Sequence, residues 1–208
     1  MLRMRCTGTE YAAKYLAKTI FRWRRNPDVM SAPPFLLSEI SSCAYFTRLL
    51  LLPDNQDLVV MQVKRTLAAA PTIHYRDPED FDRILHFLST LLCVQGIGGI
   101  SDADKNALVL VLRTWERKYP VGLKKNIATR CVVLLTGTPT LEFDRLMTMR
   151  GVALKGVEVC AGELCTRSAE NGEPLLRCSR CKSAVYCRQE HQKAHWKKHK
   201  SLCFKVEY

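Results

Sequence analysis

The sequence predicts a mainly α protein in two unequal parts, an all-helical region over residues 1–154 and a small cysteine- and histidine-rich unit over 158–204. Three observations carry this. Up to about Met149, apolar residues recur at helical spacing in successive blocks, each closed by proline, glycine or asparagine. No block sustains the period-two alternation of a strand; Cys131-Val132-Val133-Leu134-Leu135 is the one strand-like run, and a buried helix accommodates it equally. Six of the ten cysteines lie between Cys160 and Cys203. A length of 208 residues suits one ordinary domain with an appendage.

The first helix is read over Thr9 to Arg25, where Tyr11, Tyr15, Ile20 and Trp23 recur between basic residues until Asn26-Pro27-Asp28 breaks the pattern. A second begins after Pro33-Pro34 and runs to about Leu52, with Leu36, Ile40, Ala44 and Leu51 among its apolar positions; Pro53 stops it. Leu58 to Ala69 closes at Pro71, Pro78 to Val94 at Gly96, Gly98 and Gly99, and Asp102 to Tyr119 at Pro120. Ser101, followed by Asp104, is placed to cap the last of these. Leu123 to Leu135 and Leu141 to Met149 bring the count to seven, the final one able to begin at Thr138-Pro139. Such a series suggests stacked helical pairs of the armadillo or HEAT kind, although no residue-level repeat accompanies it.

With 47% apolar and 25% charged residues the chain has the composition of a folded protein rather than a disordered one. A net charge of +12 suits a polyanion, but the basic residues are spread along the chain as on a solvated exterior, so nucleic acid is disfavoured as a partner. No segment nears the roughly 20 apolar residues of a membrane span, and no membrane partner is expected. Arg3 and Arg5, opposed only by Glu10, are compatible with a transit-like targeting segment or simply with a first helix. Ten cysteines without an export signal indicate metal ligands or buried thiols in a reducing compartment, cytoplasm or nucleus. Cys6, Cys43, Cys93 and Cys131, scattered singly among apolar residues, read as small hydrophobes.

Catalytic signals are absent from the helical region. His74 and His86 are isolated, and His86 lies among Leu85, Phe87 and Leu88 as a structural histidine does. Asp77, Glu79, Asp80 and Asp82 gather at a helix start, where the helix dipole favours carboxylates. Gly96-Ile97-Gly98-Gly99 lacks the lysine of a phosphate loop and reads as a turn. No catalytic or cofactor-binding residue is assigned, and the chain is not expected to be an enzyme.

The chemistry lies at the other end. Cys160-x4-Cys165, Cys178-x2-Cys181, Cys187-x3-His191 and His199-x3-Cys203 offer eight candidate ligands in four pairs. Zinc takes four thiolate or imidazole ligands tetrahedrally, so four pairs make two closed, structural sites. Cys178 and Cys181 form a short knuckle flanked by Leu175-Leu176 and Val185-Tyr186, which suits a small hairpin. A helix follows, on which Cys187, His191, His195 and His199 fall at steps of four on one face, too many for one ion. The early and late members therefore serve different zincs.

The run from Arg177 through Cys178, Cys181, Tyr186, Cys187, His191, Gln192, Trp196 and His199 to Cys203 resembles the MYND-type zinc finger, in a fungal-like form. The resemblance implies two structural Zn²⁺ per chain, one held by Cys160, Cys165, Cys187 and His191, the other by Cys178, Cys181, His199 and Cys203. It also implies a docking function toward a protein partner through a short, often proline-containing peptide. Tyr186, Gln192 and Trp196 are expected to line or support that groove. Tyr186 and Trp196 can instead be the finger's miniature core, the reading favoured for Trp196. Two departures stand out. The family usually has cysteine where His191 stands, with Gln192 and Trp196 setting the register at His191 rather than His195, and the first pair is wider than the common two-residue spacing. The function expected is a zinc-dependent adaptor. The alternatives are a MYND-associated lysine methyltransferase fragment, which 150 residues of helical pattern argue against, ubiquitin ligation by architectural analogy, and a nucleic-acid-binding regulator.

Overall fold

A computed structural model describes residues 2–26, 28, 32–41, 43–73, 78–120, 122–172 and 174–206, with side chains described except at 2–7, 32–35, 78–80, 124 and 170. Eight helices precede the cysteine-rich unit among the described residues: α1 (Leu2–Arg25), α2 (Ala32–Ile40), α3 (Ala44–Leu50), α4 (Leu58–Ala69), α5 (Pro78–Gln95), α6 (Asp102–Lys118), α7 (Leu123–Thr136) and α8 (Leu141–Leu154). The expected second helix is two. Ser41 ends α2 by directing both its amide and its hydroxyl to the Ser38 carbonyl at 3.3 and 2.7 Å, and Cys43 is then extended. Pro33 and Pro34 lie inside the first turn of α2 rather than before it, where a missing N–H leaves no helical bond unmade.

Two boundaries also move outward. α1 starts at Leu2, and α8 runs through Gly151 to Leu154, whose carbonyl accepts the amides of Val157 and Glu158 at 2.9 Å. The strand-like Cys131–Leu135 is helical within α7, which ends on left-handed Gly137. Ser101 caps α6 as its spacing predicts: its hydroxyl accepts from the Asp104 amide at 3.1 Å and donates to the Asp104 carboxylate at 2.9 Å.

The core is centred on α5, which packs on α2, α3, α4, α7 and α8. Phe81, Ile84, Leu85, Phe87, Leu88 and Leu91 of α5 are buried, and Phe87 meets the rings of Trp23 and Phe46 edge-on. Arg65 of α4 stacks on Trp23 at 4.3 Å and donates to the carbonyls of Trp23 and Arg24, covering the ring and capping α1 together. Gln95, at the end of α5, donates to the carbonyls of Leu50 and Asn55 and accepts from the Val59 amide, which closes the α3–α4 connection.

Burial raises the thiols of Cys43 and Cys93 and pushes Cys131 up to about 12, so all three act as apolar filling. Asp82 is half-buried on α5 and His86 is exposed. The side chains of Cys6, His74, Asp77, Glu79 and Asp80 lie outside the described set.

The helical region and the cysteine-rich unit share one buried cluster, which includes Cys160, Cys178, Cys181, Tyr186 and Cys203. Their join is specific. Tyr45 of α3, only 2% exposed, accepts from the Phe204 amide at 2.7 Å and shares its proton between the carbonyls of Leu202 and Phe204 at 3.0 and 3.1 Å. Three residues along α3, Arg48 reaches Glu158 at 3.3 Å. Tyr45→Phe leaves a part-buried amide and two carbonyls without that partner, and is expected to cost about 1 kcal/mol in denaturant unfolding. Amide exchange should locate the effect, with Phe204 losing protection first. Ser101→Ala, which removes only a cap, is expected to cost about 1 kcal/mol in the same assay.

Candidate metal centre

Residues 176 onward build the site from a minimal frame. Strands β1 (Leu176–Arg177) and β2 (Val185–Tyr186) pair antiparallel, Leu176 opposite Tyr186 and Arg177 opposite Val185. Between them, the Cys178 amide donates to Ala184 and the Lys182 amide to the Cys178 carbonyl, curling the chain so that Cys178 and Cys181 point the same way. Helix α9 (Gln189–His199) then supplies His191 and His199, and a 3-10 turn over Lys200–Leu202 delivers Cys203.

The loop from Cys160 to Cys165 is fixed to this frame by the Ala161 amide on the Val185 carbonyl and the Val185 amide on the Gly156 carbonyl. Among the described residues, the two non-glycine positions with left-handed backbone are Leu164 and Lys182, and each adjoins a cysteine of the cluster. Such positions cost of order 1–3 kcal/mol and persist only where other interactions hold them.

The eight side chains fall into two groups: Cys160, Cys165, Cys187 and His191 in one, Cys178, Cys181, His199 and Cys203 in the other. Within each, all ligand atoms lie within 4.8 Å of one another. In the first, Cys165 and Cys187 have their sulfurs 3.8 Å apart, and His191 turns Nδ1 toward Cys160 and Cys187 at 3.3 Å each. In the second, Cys178 and Cys203 are 3.7 Å apart and Cys181 lies 3.6 Å from His199 Nε2.

The two sulfur–sulfur lengths and the Cys181–His199 separation match tetrahedral zinc, and the two His191 separations are about 0.3 Å shorter than its sulfur–nitrogen edge. Zn–S near 2.3 Å and Zn–N near 2.0–2.1 Å at tetrahedral angles give edges of about 3.8 Å between sulfurs and about 3.6 Å between sulfur and nitrogen. A disulfide, at about 2.05 Å, is excluded.

Further contacts fit the donor set to a metal. Cys160 accepts amide hydrogens from Gly162 and Cys187 at 3.4 and 3.3 Å, which stabilises a thiolate. Gly162 lies so close to the His191 ring that an added Cβ would stand 2.6 Å from Cγ and from Nδ1. Only glycine leaves the imidazole its place. The opposite ring nitrogen, Nε2, faces the Arg188 guanidinium. With four protein ligands each, both sites are closed, so zinc here holds structure and leaves no position for substrate.

His195 belongs to neither group. Its Nδ1 shares a hydrogen bond with the Tyr186 hydroxyl, 3.0 Å away, and its ring stacks on His199. Burial lowers His195, while burial followed by the neighbouring thiolates raises Tyr186, so both are neutral at pH 7. Tyr186 is fully buried and is the finger's core residue. Trp196 is not core, contrary to the reading favoured from sequence. Its ring packs against His199, a ligand of the second site, and remains 45% exposed.

A short hairpin and one helix joining two closed tetrahedral sites, with alternate ligand pairs serving alternate sites, define an interleaved two-zinc finger. Residues 160–203 match the family model of the MYND finger and are one. Over 41 residues within the finger the chain is 56% identical to "Egl nine homolog 1" of Homo sapiens and 54% identical to the protein of the same name in Mus musculus. That stretch is 20% of this chain and 9% of either relative. No solved structure matches the chain.

Sequence reasoning missed Gly162 and Tyr45. A glycine two residues after the first ligand was a legible signal; Tyr45 gave none. Gly162→Ala is expected to displace His191 and weaken the first site about tenfold or more, since ligands lose affinity when the groups that orient them are disturbed. Metal analysis after mild chelation should then find about one zinc per chain where the unmodified protein keeps two.

Proposed function

We propose that the protein is a zinc-dependent adaptor in which the MYND finger, residues 158–204, docks a short, often proline-containing peptide of a protein partner. The all-helical region over 1–154 is the scaffold that presents it. The carrying observation is Trp196. A large aromatic residue held by α9 against a zinc ligand yet 45% exposed is a rigid, amphipathic anchor of the kind that dominates binding surfaces. Gln192, one turn earlier on α9 and partly exposed, can supply hydrogen bonds to a peptide backbone.

The closed coordination supports binding rather than chemistry, and MYND fingers are non-catalytic interaction domains. We extend that reading to the whole chain. No helix among the described residues is long and apolar enough to cross a membrane. Nine described cysteines, all unpaired, support a reducing location, cytoplasm or nucleus.

The test is a peptide-library screen with the full chain, followed by calorimetry on the best peptides. Trp196→Ala is expected to weaken capture tenfold or more with two zincs retained, since the ring is not part of the core. Undiminished capture by that variant would remove the docking surface from α9.

A further inference from the structure

Helix α1 buries Ala12, Ala13, Leu16, Thr19, Ile20 and Trp23 on one side. At the spacing of the opposite side stand Lys14, Tyr15, Lys18, Phe21, Arg22 and Arg25, two aromatic and four basic residues with no carboxylate among them, while Tyr11 is partly buried against the core. Glu10, the one acidic residue of the helix, sits at the edge of this face and pairs with Lys14 at 2.7 Å. Arg24 points to another flank, where Asp57 engages it. The two large rings are strongly exposed, Tyr15 at 45% and Phe21 at 58%. Each has a cation over it, Lys18 at 6.0 Å from the Tyr15 ring and Arg25 at 5.4 Å from the Phe21 ring.

Exposed lysine and arginine need no explanation on a chain of charge +12, and a helix C-terminus favours them. Exposed aromatic rings interleaved with them are not explained by either effect. We infer that this outer face of α1 docks the protein peripherally on an anionic lipid surface, with Lys18, Arg22 and Arg25 among the lipid phosphates and Tyr15 and Phe21 at headgroup depth.

Charge complementarity carries the choice of partner. Anionic leaflets attract each nearby Lys or Arg by a factor of about five in partition. Aromatic rings settle at the membrane interface, where an apolar body and a polar surrounding are both satisfied.

Shape separates a lipid surface from a nucleic-acid strand. From Lys14 to Arg25 the face runs about 17 Å along one helix, a convex surface rather than a groove. Strands are bound in grooves that offer open ring faces for base stacking, whereas here Tyr15 and Phe21 each already hold a cation. This contact is peripheral and involves no spanning segment. It is independent of the finger.

The test is flotation of the full chain with vesicles of phosphatidylcholine containing about one third phosphatidylserine, and with phosphatidylcholine alone. Wild type is expected to float with the mixed vesicles only, and less at high salt. Lys18→Glu with Arg22→Glu should lower partition more than tenfold. Arg117→Glu with Arg145→Glu, an equal charge change on exposed positions of α6 and α8, should lower it far less. Tyr15→Ser with Phe21→Ser should lower it severalfold at constant charge, and all variants should keep wild-type thermal unfolding. Absence of flotation overturns the inference, as does equal loss in both charge variants or indifference to the ring substitutions. Tighter, α1-dependent capture of a single-stranded oligonucleotide than of the vesicles overturns it in favour of nucleic acid.

Discussion

Six thiols and two imidazoles drawn into two clusters a few ångströms across are tolerable as thiolates only with a cation among them. A bare group of three thiolates would repel itself apart. Every local feature of residues 160–203 is arranged around that requirement. The two non-glycine left-handed residues adjoin ligands, amide hydrogens aim at Cys160, and Gly162 gives up a side chain so that His191 can reach inward. A unit this small buries too little apolar surface to hold those positions unaided, so metal binding supplies the folding free energy.

Dependence on metal does not make the finger a separate body. Its second site is tied to the helical region on both sides of Cys203, at Leu202 and Phe204, by one buried tyrosine hydroxyl. The first site's loop is linked through Glu158, which Arg48 and Arg177 both approach. The scaffold therefore fixes the orientation of the finger as well as its position, and with it the direction in which Trp196 faces.

Much of this was legible in the residues. Ligand pairs at spacings of four, two, three and three intervening residues specify two tetrahedral sites from chemistry alone, and MYND resemblance supplies their crossing. The Ser101 cap and the Pro71 and Pro120 stops mark helix ends because backbone hydrogen bonding and proline geometry act locally. Legibility failed where tertiary contacts decide. The break at Ser41 depends on which carbonyl a serine finds, and α8 survives Gly151 because buried Leu154 anchors its last turn. Periodicity could not say that α5 lies at the centre of the core, and it carries no residue-level repeat from which a stacking of helical pairs could be read. Whether Trp196 faces in or out is a question of what else is nearby, and sequence spacing is blind to that.

The crossed pairing of ligands also sets an order of events. A chain emerging from its N-terminus presents Cys160, Cys165, Cys178 and Cys181 first, yet these four belong to different sites and cannot together complete either. The first site becomes whole only with His191, and the second waits for Cys203, the residue whose neighbours Tyr45 grips from α3. By then the helices that hold Tyr45 have long been synthesised. Maturation thus ends where scaffold and metal meet, and the last ligand to arrive closes the second zinc site and locks the finger to the rest of the molecule in one step.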